Sequence, residues 1–179
     1  MNKLTMVLGL LAAFTISQSC DLPSSPGAGG ERVAWFSFEP DEDNEKWAGY
    51  GDELRREDTP PVGRKYSLFV SGGCTIPHLS LELPVNATGA YYSISAWGKV
   101  VYAGGGIKLH RKSQNLMDGE AIAVKDSTWT HYNAEEKVYC SEGDTLVISM
   151  YSGGFVAGGM LVDKIEIYQI DTGMNPLED

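Results

Sequence analysis

The sequence predicts an all-β protein folded as an antiparallel sandwich, and three observations carry that expectation. About nine short segments alternate apolar and polar residues with the two-residue period of a strand. Turn residues separate these segments, and nothing between them carries the period of an amphipathic helix. Glycine is abundant at 21 residues and aromatics reach 10%, which suits many strands joined by turns. The 179 residues suffice for one domain with a sizeable core, expected over residues 31–170.

The chain starts with a short basic stretch, Met1-Asn2-Lys3, followed over residues 4–16 by an apolar run too short to span a bilayer stably. The run ends in Ser17-Gln18-Ser19-Cys20, which resembles the bacterial lipobox. Residues 1–19 therefore read as a lipoprotein signal peptide and Cys20 as the lipidated new N-terminus. The competing reading is an ordinary secretory signal, which leaves Cys20 a plain thiol. Residues 20–30 hold Pro, Ser and Gly without a core pattern, and a coil of about ten residues reaches roughly 15–20 Å. The expected location is the bacterial cell envelope, on a membrane through the N-terminal lipid. The outer membrane or cell surface is favoured over the inner membrane.

The first strand is expected over residues 32–39 and stops at Pro40, where a long acidic loop begins. Residues 63–70 read as a turn entering a strand. Leu79, Leu81 and Leu83 then alternate inward against His78, Ser80 and Glu82 outward. The longest strand covers residues 90–101, with Tyr92, Ile94 and Ala96 on one face and Tyr91, Ser93, Ser95, Trp97 and Lys99 on the other. Gly104-Gly105-Gly106 turns into a strand at residues 107–111, and short strands follow at 121–125 and 128–133. Near the end, Leu146, Ile148 and Met150 alternate with Val147, Ser149 and Tyr151. In the closing strand Leu161, Asp163, Ile165 and Ile167 read as one face, the core face. A carboxylate in that row needs a cation, a metal or strong hydrogen bonds, since burying a lone charge costs several kcal/mol or more. The tail, residues 171–179, is polar.

The net charge of -10 excludes a nucleic-acid partner, since no basic stripe is present to replace phosphate counterions. Residues 39–58 hold nine acidic side chains against Lys46, Arg55 and Arg56, and read mainly as a solvated loop. Its stretch from Asp41 to Glu45 begins like an EF-hand, but Lys46 stands where that loop needs glycine. Beyond Cys20, a disulfide between Cys74 and Cys140 and two separate buried thiols fit the sequence equally.

The ordered set Phe38-Glu39, Gly63-x-Lys65-Tyr66-Ser67-Leu68, Tyr92-x-Ile94-Ser95-x-Trp97-x-Lys99, Trp129 and Leu161-Val162-Asp163-x-Ile165 carries a resemblance. It is similar to the galactose-binding-domain-like jelly roll, in particular carbohydrate-binding modules of the family 4, 9 and 22 type. The resemblance covers residues 31–170 and implies a structural Ca2+ between the first and last strands. Its ligands would be Glu39 and Asp163, with carbonyls near Ser37 and Lys65. Sugar binding needs aromatic rings beside polar groups on a sheet face, because pyranose C–H faces stack and hydroxyls need partners. Tyr91 and Trp97 have that setting, and His110 with Lys108 and Tyr151 with Ser149 extend it by alternation; Trp97 packed beneath a loop is the competing reading. Trp35, Trp47 and Trp129 read as core or loop-packing residues. No enzyme is expected: Glu82 and Glu120 lack a catalytic signature, and His78, His110 and His131 lack a nucleophile motif. The sequence thus points to a non-catalytic lipoprotein that holds polysaccharide or oligosaccharide at the envelope, beside a separate envelope enzyme. The alternative is a structural or protein-interaction lipoprotein using the same fold.

Overall fold

The computed structural model describes residues 30–72, 78–86, 89–114, 122–153 and 158–170. The signal segment 1–19, Cys20 with all of its tether but Gly30, Cys74, Glu120 and the tail 171–179 lie outside the described residues. Eleven strands among the described residues form two antiparallel sheets, as the alternation predicts. Sheet A runs β2 (Arg55–Arg56), β3 (Ser67–Gly72), β11 (Gly158–Ile170), β5 (Ala90–Tyr102), β8 (Thr130–Asn133). To it β1 (Glu31–Phe36) adds along β11, and β9 (Val138–Cys140) along β5. Sheet B runs β4 (Leu79–Pro84), β10 (Thr145–Ser152), β6 (Gly105–Arg111), β7 (Ile122–Val124).

The core lies between the sheets and comes from the rows that the alternation marks. Sheet B contributes Leu79 and Leu81, Ile107 and Leu109, and Leu146, Ile148 and Met150; β5 contributes Tyr92, Ile94 and Ala96. Each such side chain stabilises the fold by about 1.5–3 kcal/mol when fully buried. Trp47 closes one end, edge-on to Phe36 at 5.2 Å and tilted against Phe38 at 5.6 Å. It is thus a core residue as expected, whereas Trp35 is 46% exposed on β1, contrary to the expectation of packing. Cys140 is a free thiol wholly within the core, and Cys74, the other half of the possible bridge, lies outside the described residues. Burial pushes that thiol up to about 11.

The closing strand departs from the simple alternation. Met160 pairs with Val100 and Val162 with Gly98, on the core side of β5. Leu161 and Asp163 pair with Lys99 and Trp97, on its outward side. The register then slips, so that Glu166 rather than Ile165 meets Ser95, and Lys164 takes φ 46°. This is a β-bulge: one extra residue inverts the faces of everything beyond it. Ile165 and Ile167 accordingly join Met160 and Val162 in the core. Asp163 is not in the core row read from the sequence; it lies on the outward face and is nevertheless fully buried.

A left-handed φ costs a residue with a Cβ about 1–2 kcal/mol, and a β-branched residue suffers most. Lys164→Gly is therefore expected to exceed Lys164→Val in stability by about 1–2 kcal/mol in urea unfolding. Equal midpoints would show that the bulge does not depend on this conformation.

Candidate functional site

The four residues read as one recognition surface fall on opposite sides of the sandwich. Tyr91 and Trp97 lie on β5 of sheet A, His110 and Tyr151 on β6 and β10 of sheet B. The cause is the turn after β5. Ala103 and Gly104 both take positive φ, 52° and 65°, and the chain crosses to the other sheet instead of returning as a hairpin. The serine hydroxyl of Ser152 and the amide of Gly153 both donate to the Gly104 carbonyl, fixing the crossing.

On sheet A the aromatics are engaged with one another. Trp97 and its cross-strand partner His131 stand 5.3 Å apart, and Tyr91 and its partner Tyr139 5.2 Å apart. The Trp129 indole N–H donates to one oxygen of Asp58 at 2.8 Å, and the Lys99 ammonium donates to the other at 2.7 Å. Burial alone would raise the Asp58 carboxyl, but these two donors hold it below the usual carboxylate range. The rings and the Asp58 carboxylate of this face are thus all partnered, while the buried Ser95 hydroxyl is not.

The outward face of sheet B is different. Its middle rows read Glu82–Val147–His110 and Ser80–Ser149–Lys108 across β4, β10 and β6. Although they point away from the core, Lys108 is 4% exposed, His110 7%, Val147 7% and Ser149 2%. The polar groups are thus held out of bulk water, where a hydrogen bond is stronger and an unmade one costlier. His110 approaches the Arg111 carbonyl through Nδ1 at 2.9 Å, and an N–H must donate there, so the proton sits on Nδ1. Nε2 then accepts from the Ser149 hydroxyl at 3.1 Å. Tyr151 closes the row. Its ring lies across Gly106, where a Cβ would sit 2.5 Å from the ring, so only glycine admits it. Burial raises the Tyr151 phenol, which therefore stays protonated at neutral pH. At the far end Lys112 and Glu82 form an exposed pair at 2.8 Å, which contributes little.

A separate cluster joins the ends of the domain. Phe38 takes φ 57°, turning the chain out of β1 with Ser37, Phe38 and Glu39 all buried. Glu39 Oε1 accepts the amides of Lys65 at 2.7 Å and Tyr66 at 2.9 Å, while Asn44 donates to the Glu39 carbonyl at 2.7 Å. Glu42 accepts from the amide and hydroxyl of Ser37. The acidic loop is therefore not simply solvated: Glu42 and Asn44 were missed by reading charge density alone, and both fasten the end of β1.

Asp163 completes this cluster. Its Oδ1 accepts the Lys164 amide at 2.7 Å, while Oδ2 is buried without a hydrogen-bond partner. A Cβ at Gly63 would fall 2.7 Å from Oδ2, so the glycine leaves space against this oxygen. Burial pushes the Asp163 carboxyl up to about 7; the Lys164 amide and ammonium oppose the rise, and Glu39 and Glu42 add to it. Among the described residues no group of three or more His, Cys, Asp or Glu side chains is placed to hold a metal. Any cation here would draw on these carboxylates and on backbone oxygens.

No protein-family model matches the sequence, and no curated protein matches it. Solved structures do. The fold is similar to the CBM22-1 xylan-binding domain from Paenibacillus barcinonensis Xyn10C, at 22% identity and TM-score 0.57, over 80% of this chain and 97% of that one. It is also similar to the CBM22-1-CBM22-2 tandem domain of the same Xyn10C, at 19% identity and TM-score 0.56, over 87% of this chain and 50% of that one. A third match is the CBM22-1-GH10 modules of Clostridium thermocellum Xyn10B complexed with xylohexaose, at 16% identity and TM-score 0.52, over 81% of this chain and 30% of that one. The β-sandwich read from the sequence is therefore that of carbohydrate-binding modules.

Burial lowers the His110 imidazole below its ordinary 6.5; the Arg111 carbonyl opposes this, and the Lys108 charge adds to it. A lowered histidine gives stability that is complete above about pH 6.5 and is lost as pH falls through its folded-state value. His131 shifts the same way, through burial opposed by Glu166, so wild type alone does not isolate the effect. His110→Gln, which cannot titrate, is expected to lose less stability than wild type between pH 7.5 and 5 in urea unfolding. Identical losses would mean that the His110–Ser149 bond does not depend on a neutral ring.

Proposed function

We propose that this protein binds carbohydrate without catalysis, on the outward face of sheet B. The observation that carries the reading is the water-shielded polar row of Lys108, His110 and Ser149, flanked by the half-buried ring of Tyr151. A pyranose presents an apolar C–H face and a rim of hydroxyls. Tyr151 offers a surface for the first; for the second, the Ser149 oxygen keeps accepting capacity beyond its bond to His110, and the Lys108 ammonium carries three donors. Such groups are already oriented, so less ordering cost is paid on binding. The xylan-binding domain from Paenibacillus barcinonensis that shares the fold supports the same ligand class. Tyr91 and Trp97, engaged with Tyr139 and His131, are assigned to the stability of sheet A.

The sequence of residues 1–20 supports a lipid anchor at Cys20 and a place in the bacterial envelope. In this setting the domain would keep glycan near the membrane for a separate enzyme. A glycan panel titrated against the purified protein tests the binding. Tyr151→Ala is expected to weaken affinity about tenfold, and Trp97→Ala to leave it within about twofold. Absence of binding to every glycan would turn the reading to its alternative, a protein-interaction or structural module.

A structural calcium fits the Glu39–Asp163 cluster. The free Oδ2 of Asp163 and the carboxylate of Glu39 are hard oxygen donors of the kind calcium takes, with backbone carbonyls completing six to eight ligands. Bound there, the ion would compensate carboxylates that burial otherwise penalises. Calcium is expected to raise the melting temperature over that in chelator, and Asp163→Asn to abolish the difference while being no less stable than wild type in chelator. Equal wild-type melting temperatures in calcium and in chelator would remove the metal.

A further inference from the structure

On the side of the sandwich where sheet B is narrowest, β6 outruns its neighbour, because β7 pairs only with Gly105, Gly106 and Ile107. The core-facing row of β6 then ends not in another aliphatic residue but in Arg111, which pairs with Leu146 on β10. A cavity of about 200 Å³ opens here between β6 and residues 134–139 of the other sheet, and Arg111, Gln114, Lys137 and Tyr139 line it above an apolar floor. Among the described residues Glu136 is the one carboxylate in its wall. Arg111 Nε is buried and has no hydrogen-bond partner. A buried donor left unmade costs about 1–3 kcal/mol, more when it belongs to a charged group, so the site calls for a compensating acceptor.

We infer that this cavity is a subsite for the carboxylate of an acidic sugar, held by Arg111. A guanidinium presents a planar fork of donors that matches a carboxylate in two parallel hydrogen bonds, and such charge-assisted bonds are roughly twice as strong as neutral ones. Lys137 adds a second cation. The volume greatly exceeds the roughly 30 Å³ of a single water, so the space admits a sugar substituent. His110 stands next to Arg111 on β6 but points to the sheet-B face, so the cavity and that face lie on opposite sides of one strand. The net charge of -10 repels anions at long range, so selection of an acidic sugar must arise from this local arrangement. That the occupant is a sugar rests on the glycan-binding reading above; that it is a carboxylate rests on Arg111 alone.

The test is nitrogen-15 NMR of arginine Nε–H groups in the wild-type protein, titrated with glucuronate, glucose or acetate. The Arg111 signal, assigned by its loss in Arg111→Lys, is expected to move with glucuronate and stay still with glucose. The movement is expected to survive in Tyr151→Ala, where neutral-glycan binding is weakened, so the failure of one site is distinguishable from the failure of the other. In calorimetry, Arg111→Gln is expected to lose at least tenfold in affinity for a glucuronate-bearing oligosaccharide and to leave its neutral counterpart unchanged. An Arg111 signal unmoved by glucuronate overturns the subsite. Acetate acting as well as glucuronate reduces it to a bare anion site and overturns the assignment to a sugar.

Discussion

The structure depends on how β11 is shared. This strand of thirteen residues pairs with β5 along most of its length, with β3 over its first half and with β1 over its second. The bulge at Lys164 lies at the handover from β3 to β1. Because strand faces alternate every residue, the extra residue lets Met160 and Val162 before it, and Ile165 and Ile167 after it, all enter the same core. Asp163 is the residue turned outward in compensation. Its burial then comes not from the core but from the 58–66 segment, where Gly63 approaches it, and from the turn out of β1 that carries Glu39. First strand, acidic loop and last strand are thereby tied at one place, through polar groups rather than aliphatic packing.

The two outward faces of the sandwich have been given different work by the same alternation. Sheet A places aromatic against aromatic across neighbouring strands, and Asp58 satisfies both Trp129 and Lys99. Cross-strand pairs of this kind stabilise a sheet by roughly 0.2–1 kcal/mol each. Sheet B carries no such aromatic pairs in its middle rows; it presents Ser80, Ser149, Lys108 and His110 beside a single tyrosine ring. An exposed serine or lysine is unremarkable, but a buried row of them on a face away from the core is not. That contrast, more than the count of tryptophans, separates the two faces, and the glycan site proposed on sheet B rests on it.

Long strands were legible because alternation over eight or more residues admits one reading, and the core rows of β5 and β10 emerged correctly. Two short strands were not. Arg55–Arg56 joins the sheet through its pairing with Leu68 and Ser67, and Val138–Cys140 through its pairing with β5. Neither carries enough residues to show a period. The bulge was hidden for another reason: Leu161, Asp163, Ile165 and Ile167 form a perfect row, and nothing about Lys164 announces a left-handed residue. Likewise, alternation told which side of its own strand each of Trp97 and Tyr151 occupies, but not that Gly104 would send the two strands to different sheets. Glu39 and Asp163 do lie in one cluster, with Glu42 and Gly63 added to it, because the order of motifs along the chain carries topological information that single-strand periodicity lacks.

Strand β6 shows how one short segment can serve two environments. Lys108 and His110 point to the outward face of sheet B, and Arg111 to the space between the sheets. In a protein of net charge -10, most of the surface disfavours any negatively charged partner. Two cations able to donate hydrogen bonds to an oxygen-rich ligand, Lys108 and Arg111, instead stand three residues apart on one strand, and Lys108 and the Arg111 Nε are buried. Burial deprives them of water and makes their satisfaction energetically consequential, whereas the exposed Lys112–Glu82 pair at the strand's end gains little from its contact. The physical distinction between a decorated surface and a site therefore lies in where the donors are shielded, and in this fold that is where β6 leaves the cover of β7.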